Sequence, residues 1–274
     1  MEQTQLIKCW RFGVLGLLLG TLALLAPVPA MADSLPSGWI CTGNCGSSGA
    51  DGVVTLSPTG NTSYQWVSTY QGTYGVGALP TGAFVGETDG STLATTTFSA
   101  TAGEALNFYF NYVTSDGAGY ADYAWAELYD AANNPVALLF TARTLPTGTI
   151  VPGSGMPSPL ATLNPASVPI IQGQTIWSPL GGSSGSCYIS PTSGCGYTGW
   201  INSNYVIPAS GDYYLVIGVV NWSDTAYDSG LAMDGVTVGG EPIVPPTSPV
   251  PEPGTLMLLG GGIVPLVRRF LRKG

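Results

Sequence analysis

Apolar and polar residues alternate with period two through much of the middle of the chain. In residues 106–112, Leu106, Phe108, Phe110 and Tyr112 fall on one side and Asn107, Tyr109 and Asn111 on the other. Residues 122–130 set Ala124, Ala126 and Leu128 against Tyr123, Trp125, Glu127 and Tyr129, and either set fits a core. Residues 213–220 are almost continuously apolar, the pattern of a central strand covered on both faces. With further strand-length segments at 53–57, 64–70, 92–99, 104–114, 136–144, 199–207 and 231–238, separated by Gly, Pro, Ser and Asn, the pattern predicts an all-β fold. A single antiparallel two-sheet β-sandwich over residues 33–239 accommodates them. No helical period of useful length and no 20–50-residue repeat interrupts it, which argues against propellers and solenoids. Residues 145–180 are the exception, with prolines at 146, 152, 157, 159, 165, 169 and 179. A covering flap, a binding loop and an unstructured connection all fit that composition.

Composition narrows the chemistry. The chain has no histidine, so Ser-His-Asp and Cys-His catalysis and His-ligated metal sites are excluded. Between Asp33 and Pro253 fifteen acidic residues face the single base Arg143, a net charge of about −14 that repels phosphate backbones and argues against nucleic acid. Acid pairs are the remaining catalytic material, drawn from Glu87, Asp89, Glu104, Asp116, Asp122 and Glu127. Each lies in or beside a turn or on a strand face where acids are ordinary, so the chain is expected to be no enzyme. The G-x-S-x-G at residues 181–185 lies in a Gly/Ser loop with no histidine to serve it.

The ends read as addresses. Lys8 and Arg11 precede an apolar run at 12–26, then Pro27, Pro29 and the A-x-A site Ala30-Met31-Ala32 before Asp33. This is the pattern of a secretory signal peptide over 1–32, read by export machinery and signal peptidase. Cys9 leaves with it, and the four remaining cysteines suggest disulfides in an exported chain. Their spacing favours Cys41 with Cys45 and Cys187 with Cys195, although four cysteines allow three connectivities. A four-thiolate zinc site is disfavoured by the wide second spacing.

At the other end, residues 240–253 carry six prolines, a linker composition, with the linker proper at 240–249. Val250-Pro251-Glu252-Pro253 is followed by a mostly apolar stretch and then Arg268, Arg269, Arg272 and Lys273. Composition alone allows a weak transmembrane anchor or an interfacial segment. The order of parts over 250–274 resembles the PEP-CTERM sorting signal. That resemblance implies recognition by an exosortase in a Gram-negative bacterium and transient inner-membrane contact through the C-terminal segment. It further implies delivery to the cell surface, outer membrane or biofilm matrix after processing. Residues 111–131 and 229–238 also resemble segments of exported PEP-CTERM proteins with one jelly-roll-like domain.

Two site expectations remain. Asp234 lies on an otherwise apolar strand, where a buried carboxylate needs a partner, and structural calcium held by Asp234 with Asp51 or Asp33 is one. Capping of backbone donors is the other. Trp66, Tyr70, Tyr123 and Trp125 offer flat rings near polar groups, suited to stacking on sugars, while period-two spacing lets the same rings fill a core. The expected function is an adhesive, polysaccharide-contacting surface or matrix protein with no cofactor beyond calcium. A glycan-active enzyme and a purely structural coat protein are the alternatives.

Overall fold

The alternation at 106–112 becomes a ten-residue strand in which Leu106, Phe108, Phe110 and Tyr112 are fully buried. The computed structural model describes residues 34–243, apart from 83, 145–147, 191 and 193. The signal segment with Ala30, Ala32 and Asp33, most of the linker, and the C-terminal segment from Val250 to Lys273 lie outside the described residues.

In chain order the strands are β1 (Ile40–Thr42), β2 (Asn44–Ser48), β3 (Tyr64–Ser68), β4 (Thr73–Tyr74), β5 (Glu87–Ala94) and β6 (Phe98–Ala100). Next come β7 (Ala105–Thr114), β8 (Tyr123–Asp130), β9 (Pro135–Arg143), β10 (Thr149–Val151), β11 (Thr162–Asn164) and β12 (Val168–Pro169). The last are β13 (Ile171–Gln172), β14 (Gly196–Tyr197), β15 (Ile201–Val206), β16 (Gly211–Trp222), β17 (Ser229–Val238) and β18 (Glu241–Pro242). One sheet runs β1-β5-β16-β8-β9, with β4 beside β5 and β6 beside β16. The other runs β11-β15-β7-β17-β3-β2, with β13, β14 and β18 at its margins. Strand pairing is antiparallel in both, the sandwich that the alternation predicts.

Between the sheets, Leu106, Phe108, Phe110 and Tyr112 of β7 meet Ala124, Ala126 and Leu128 of β8 and Leu215, Ile217 and Val219 of β16. Phe110 and Phe140 stack with centroids 3.8 Å apart. Each fully buried side chain of this size contributes roughly 1.5–3 kcal/mol of transfer free energy. The outer faces are covered too. Trp125, Tyr123, Leu138 and Val220 pack with Leu79 outside the first sheet, while Val54, Tyr64, Val113, Leu180 and Trp177 form a cluster outside the second. Both sides of β8 are therefore core, and β16 is central as its composition requires.

Three boundaries differ from the sequence reading. The expected strand at 92–99 is divided into β5 and β6, because the Thr95 hydroxyl accepts the Leu215 N–H at 3.0 Å where a ladder carbonyl would otherwise serve. The expected strand at 53–57 is reduced to an Asp51–Val54 bridge, since Ser57 hydrogen-bonds Asp234 and draws the chain away. The body also runs past 239: β18 pairs with β17, and the Ile243 N–H donates to the Val236 carbonyl at 3.1 Å. The proline-rich stretch is a covering flap, placing Ile150, Val151, Leu163, Val168 and Ile170 in the core.

Candidate functional site

The four aromatic candidates separate onto opposite outer faces. Tyr123 is 0% and Trp125 1% exposed, beneath the segment that carries Gly77 and Leu79. The Trp125 Nε1–H donates to the Gly77 carbonyl at 2.7 Å. Tyr123 Oη accepts the Leu79 N–H at 3.1 Å and donates to Glu87 Oε1 at 2.9 Å. Neither ring can stack on a sugar, which corrects the expectation for both: the residues that bury them lie in a non-periodic loop distant in sequence. Trp66 and Tyr70 are half-buried on the other side of the molecule. Trp66 meets Trp177 edge-on at 6.5 Å and donates to Ser48 Oγ, and Tyr70 lies against Gly181, where a Cβ would approach its ring to 2.4 Å. These four do not make one platform.

Both disulfides join the local pairs that the spacing favours, Cys41 to Cys45 and Cys187 to Cys195. Asp234 and Asp51 have protein donors as partners. Asp234 Oδ2 accepts from Ser57 Oγ at 2.5 Å and Thr59 Oγ1 at 2.7 Å, and Oδ1 from Asn61 Nδ2 at 2.8 Å and the Gly235 N–H at 2.7 Å. Asp51 Oδ2 accepts the Ser178 N–H at 2.9 Å. Asp234 thus fastens the 57–61 loop to β17, and Asp51 fastens its turn to the Ser178–Ser183 3-10 turn.

What the sequence reading did not assemble lies at one end of the sandwich. There the inward stripe of six strands turns polar. Two positions beyond the buried Val67, Tyr112, Ala142 and Val219, and two before Ala124 and Leu231, stand Thr69, Thr114, Thr144, Asn221, Asp122 and Ser229, all buried. Ser229 Oγ, from one sheet, donates to Asp122 Oδ2 of the other at 2.6 Å, and the Trp222 N–H donates to Asp122 Oδ1 at 2.8 Å. Burial, followed by repulsion from Asp116, drives the Asp122 carboxyl well above the ordinary range. Asp116, 1% exposed, is pushed up to about 8, again chiefly by burial, opposed by the Gly117 N–H and supported by Asp224.

Above this layer three loops bring tyrosines together. Tyr188 meets Tyr120 edge-on at 5.1 Å and Tyr227 at 5.3 Å. Tyr188 is carried on the loop closed by Cys187–Cys195, and its N–H donates to the Ser115 carbonyl at 2.9 Å. A hydrogen bond with Tyr120 raises the Tyr188 phenol first, then partial desolvation, then the charges of Tyr120, Asp116 and Asp224. Ile189, Ser223 and Tyr227 hold left-handed backbone at φ 61°, 78° and 59°, a costly conformation that tends to collect at functional sites. Tyr120 lies three residues before Tyr123 at the start of β8, but Tyr188 and Tyr227 stand alone in loops without period.

Asp228, beside this cluster, accepts from Ser183 Oγ at 2.7 Å and Thr69 Oγ1 at 3.2 Å. Burial raises its carboxyl despite those donors. The native state therefore holds this proton more tightly than the unfolded chain, so the contribution is complete below the unfolded value near 3.9 and is lost as pH rises through the raised native value. Asp228→Asn should flatten that part of the decline in stability, measured as urea midpoints from pH 4.5 to 8. An unchanged slope would mean that Asp228 ionises in the native state as it does in the unfolded chain.

The chain's C-terminal segment gives its cellular address more directly than this site does. The C-terminal order of a Pro-Glu-Pro element, an apolar stretch and a basic cluster corresponds to a family model across its span. Residues 249–273 carry the PEP-CTERM protein-sorting motif. PEP-CTERM motifs mark exported proteins that are processed or anchored at the cell envelope. Among the described residues no helix is long and apolar enough to cross a membrane. No curated protein sequence matches this chain.

Solved structures similar to the body include the enzymatically active domain of bacteriophage CBA120 tailspike protein 4, at 11% identity and TM-score 0.33. That match spans 74% of this chain and only 19% of the tailspike. The K3 cleaved adhesin domain of Lys-gingipain from Porphyromonas gingivalis W83 is similar at 10% identity and TM-score 0.37, over 76% of this chain and 98% of that domain. TmCBM61, solved with β-1,4-galactotriose, is similar at 10% identity and TM-score 0.31, over 74% of this chain and 88% of the other.

Proposed function

We propose that the body is a non-catalytic, carbohydrate-contacting domain, sorted by an exosortase through the PEP-CTERM motif to the cell surface or matrix. The observation that carries this reading is the convergence of Tyr120, Tyr188 and Tyr227 at one end of the sandwich. Flat rings with phenolic hydroxyls, set beside the acid Asp224, suit stacking on sugar faces with hydrogen bonds to hydroxyls. The loop ends of a rigid sandwich are also where binding residues are most easily placed. The acids that could have supported hydrolysis do not favour an enzyme. Asp116 and Asp122 interact closely but are buried, and Glu127 accepts hydrogen bonds from Thr81 and Tyr129.

The test is affinity electrophoresis of the purified protein against a panel of acidic and neutral polysaccharides. Tyr188→Ala and Tyr227→Ala should each weaken binding about tenfold, a loss of about 1.4 kcal/mol, with an unfolding midpoint close to that of the parent. Full retention of binding in both variants would remove the tyrosines from the contact surface.

A further inference from the structure

The polar layer between the sheets leaves three buried side-chain oxygens without a partner: Asp116 Oδ2, Asn221 Oδ1 and the Thr144 hydroxyl. Asp116 Oδ1 accepts the Gly117 N–H at 2.6 Å, but Oδ2, equally buried, meets no donor. Asn221, 0% exposed, donates from Nδ2 to Asp89 Oδ1 at 3.1 Å, while its buried Oδ1 meets none. Native proteins rarely leave such atoms unpaired unless something occupies the space they face.

These atoms belong to one neighbourhood. The β16–β8 register ends at Val220 opposite Tyr123, so the next pair sets Asn221 opposite Asp122, both on the inward face. Same-face cross-strand neighbours have Cβ atoms about 4.5–5.5 Å apart. Asp116 folds back over Thr114, whose hydroxyl accepts its N–H at 3.1 Å, and its charge acts directly on Asp122. Arg143, the sole basic residue among the described residues, feels the charge of Asp122 but spends its contacts on other groups. Its Nε donates to the Ala121 carbonyl, and its guanidinium lies 3.9 Å above the Phe84 ring.

Asp116 Oδ2 and Asn221 Oδ1, buried and without a donor, share the inter-sheet layer with the Asp122 carboxyl, and oxygens so gathered are complementary to a cation once the carboxyls ionise. Oxygen-only ligands select a hard one. Among the described residues no three His, Cys, Asp or Glu side chains form a metal-ligating group, so the ligand set is mixed and water completes the six to eight oxygens that calcium takes.

We propose that this inter-sheet layer binds one calcium-type divalent cation through Asp116 Oδ2, Asp122 and Asn221 Oδ1. The site is separate from Asp234, whose two oxygens already accept four hydrogen bonds. Neutralising Asp116 and Asp122 also joins the loop after β7 to the start of β8 and the end of β16.

The test uses the purified full-length protein, treated with EDTA, desalted and titrated with calcium chloride by calorimetry, with thermal unfolding in parallel. One site per chain is expected, with a midpoint increase of about 5–10 °C at a hundredfold excess over Kd, and a smaller response to magnesium. Asp116→Asn, a neutral isostere, should keep the parent near-ultraviolet dichroism, be at least as stable as the metal-free parent and bind calcium at least tenfold more weakly. Asp234→Asn should bind as the parent does. Absence of both heat and midpoint shift in the parent would overturn the proposal. So would calcium binding by Asp116→Asn with undiminished affinity, or its loss in Asp234→Asn alone.

Discussion

Trp125→Ala will destabilise the domain by about 3–5 kcal/mol, the range for removing a fully buried aromatic side chain. The ring fills the space above Gly218, where a Cβ would come within 2.5 Å of it, so β16 and the indole are fitted to one another. Its neighbours Tyr123, Leu79, Leu138 and Val220 belong to the outer-face cluster and would line the cavity. The substitution also leaves the Gly77 carbonyl without its 2.7 Å donor, at an additional 1–3 kcal/mol or so if water does not enter. Trp125→Phe keeps most of the volume but loses the N–H and part of the bicyclic ring, and should fall between the parent and Trp125→Ala. Urea denaturation with fluorescence and dichroism provides the measurement. A Trp125→Ala protein with the parent midpoint and weakened polysaccharide binding would place the ring at the surface after all.

Asp234→Ala has the second largest expected effect, about 2–4 kcal/mol. One carboxylate receives four hydrogen bonds, and bonds to a charged group contribute roughly 1.5–3 kcal/mol each before the released donors are resolvated. Thr59 and Asn61 lie in an exposed loop and recover water, so the sum is far from additive. Hydrogen exchange should report the loss locally, with amides at 59–61 and at Gly235 losing protection first. Unchanged exchange there would mean that the loop is held by other contacts.

Much of the sandwich was legible because burial on one face of a strand enforces a period of two, which β15 and the first half of β7 obey. The continuous apolar run of β16 marked a strand covered on both sides. The same rule could not separate an exposed face from one covered by a loop. In β8 the Tyr123–Trp125 side reads identically in either case, and the residues that decide it, Gly77 and Leu79, sit in an aperiodic segment forty-odd residues earlier. The short strands β10 to β14 escaped notice because two or three residues are too few to show alternation.

The end cluster was hidden for a different reason. Thr114, Asp122, Asn221 and Ser229 each resemble the polar residue that closes a strand, and only the register of both sheets shows that they point at one another. The disulfides were easier, because short separations restrict which cysteines can meet.

The position of β17 determines how the domain would bear force. This strand is the last long one before the chain leaves the body, and it lies inside its sheet, bonded to β7 on one edge and β3 on the other. Tension entering through Ile243 first meets β18, which folds back on β17, and once those few bonds part it runs along β17 while the ladder hydrogen bonds to β7 and β3 lie across it. Those bonds are loaded together in shear instead of opening one after another from an end. A molecule tethered by its C-terminal side and pulled by whatever its far loops grip would meet the load on its best-buttressed strand, with the sheet edges spared.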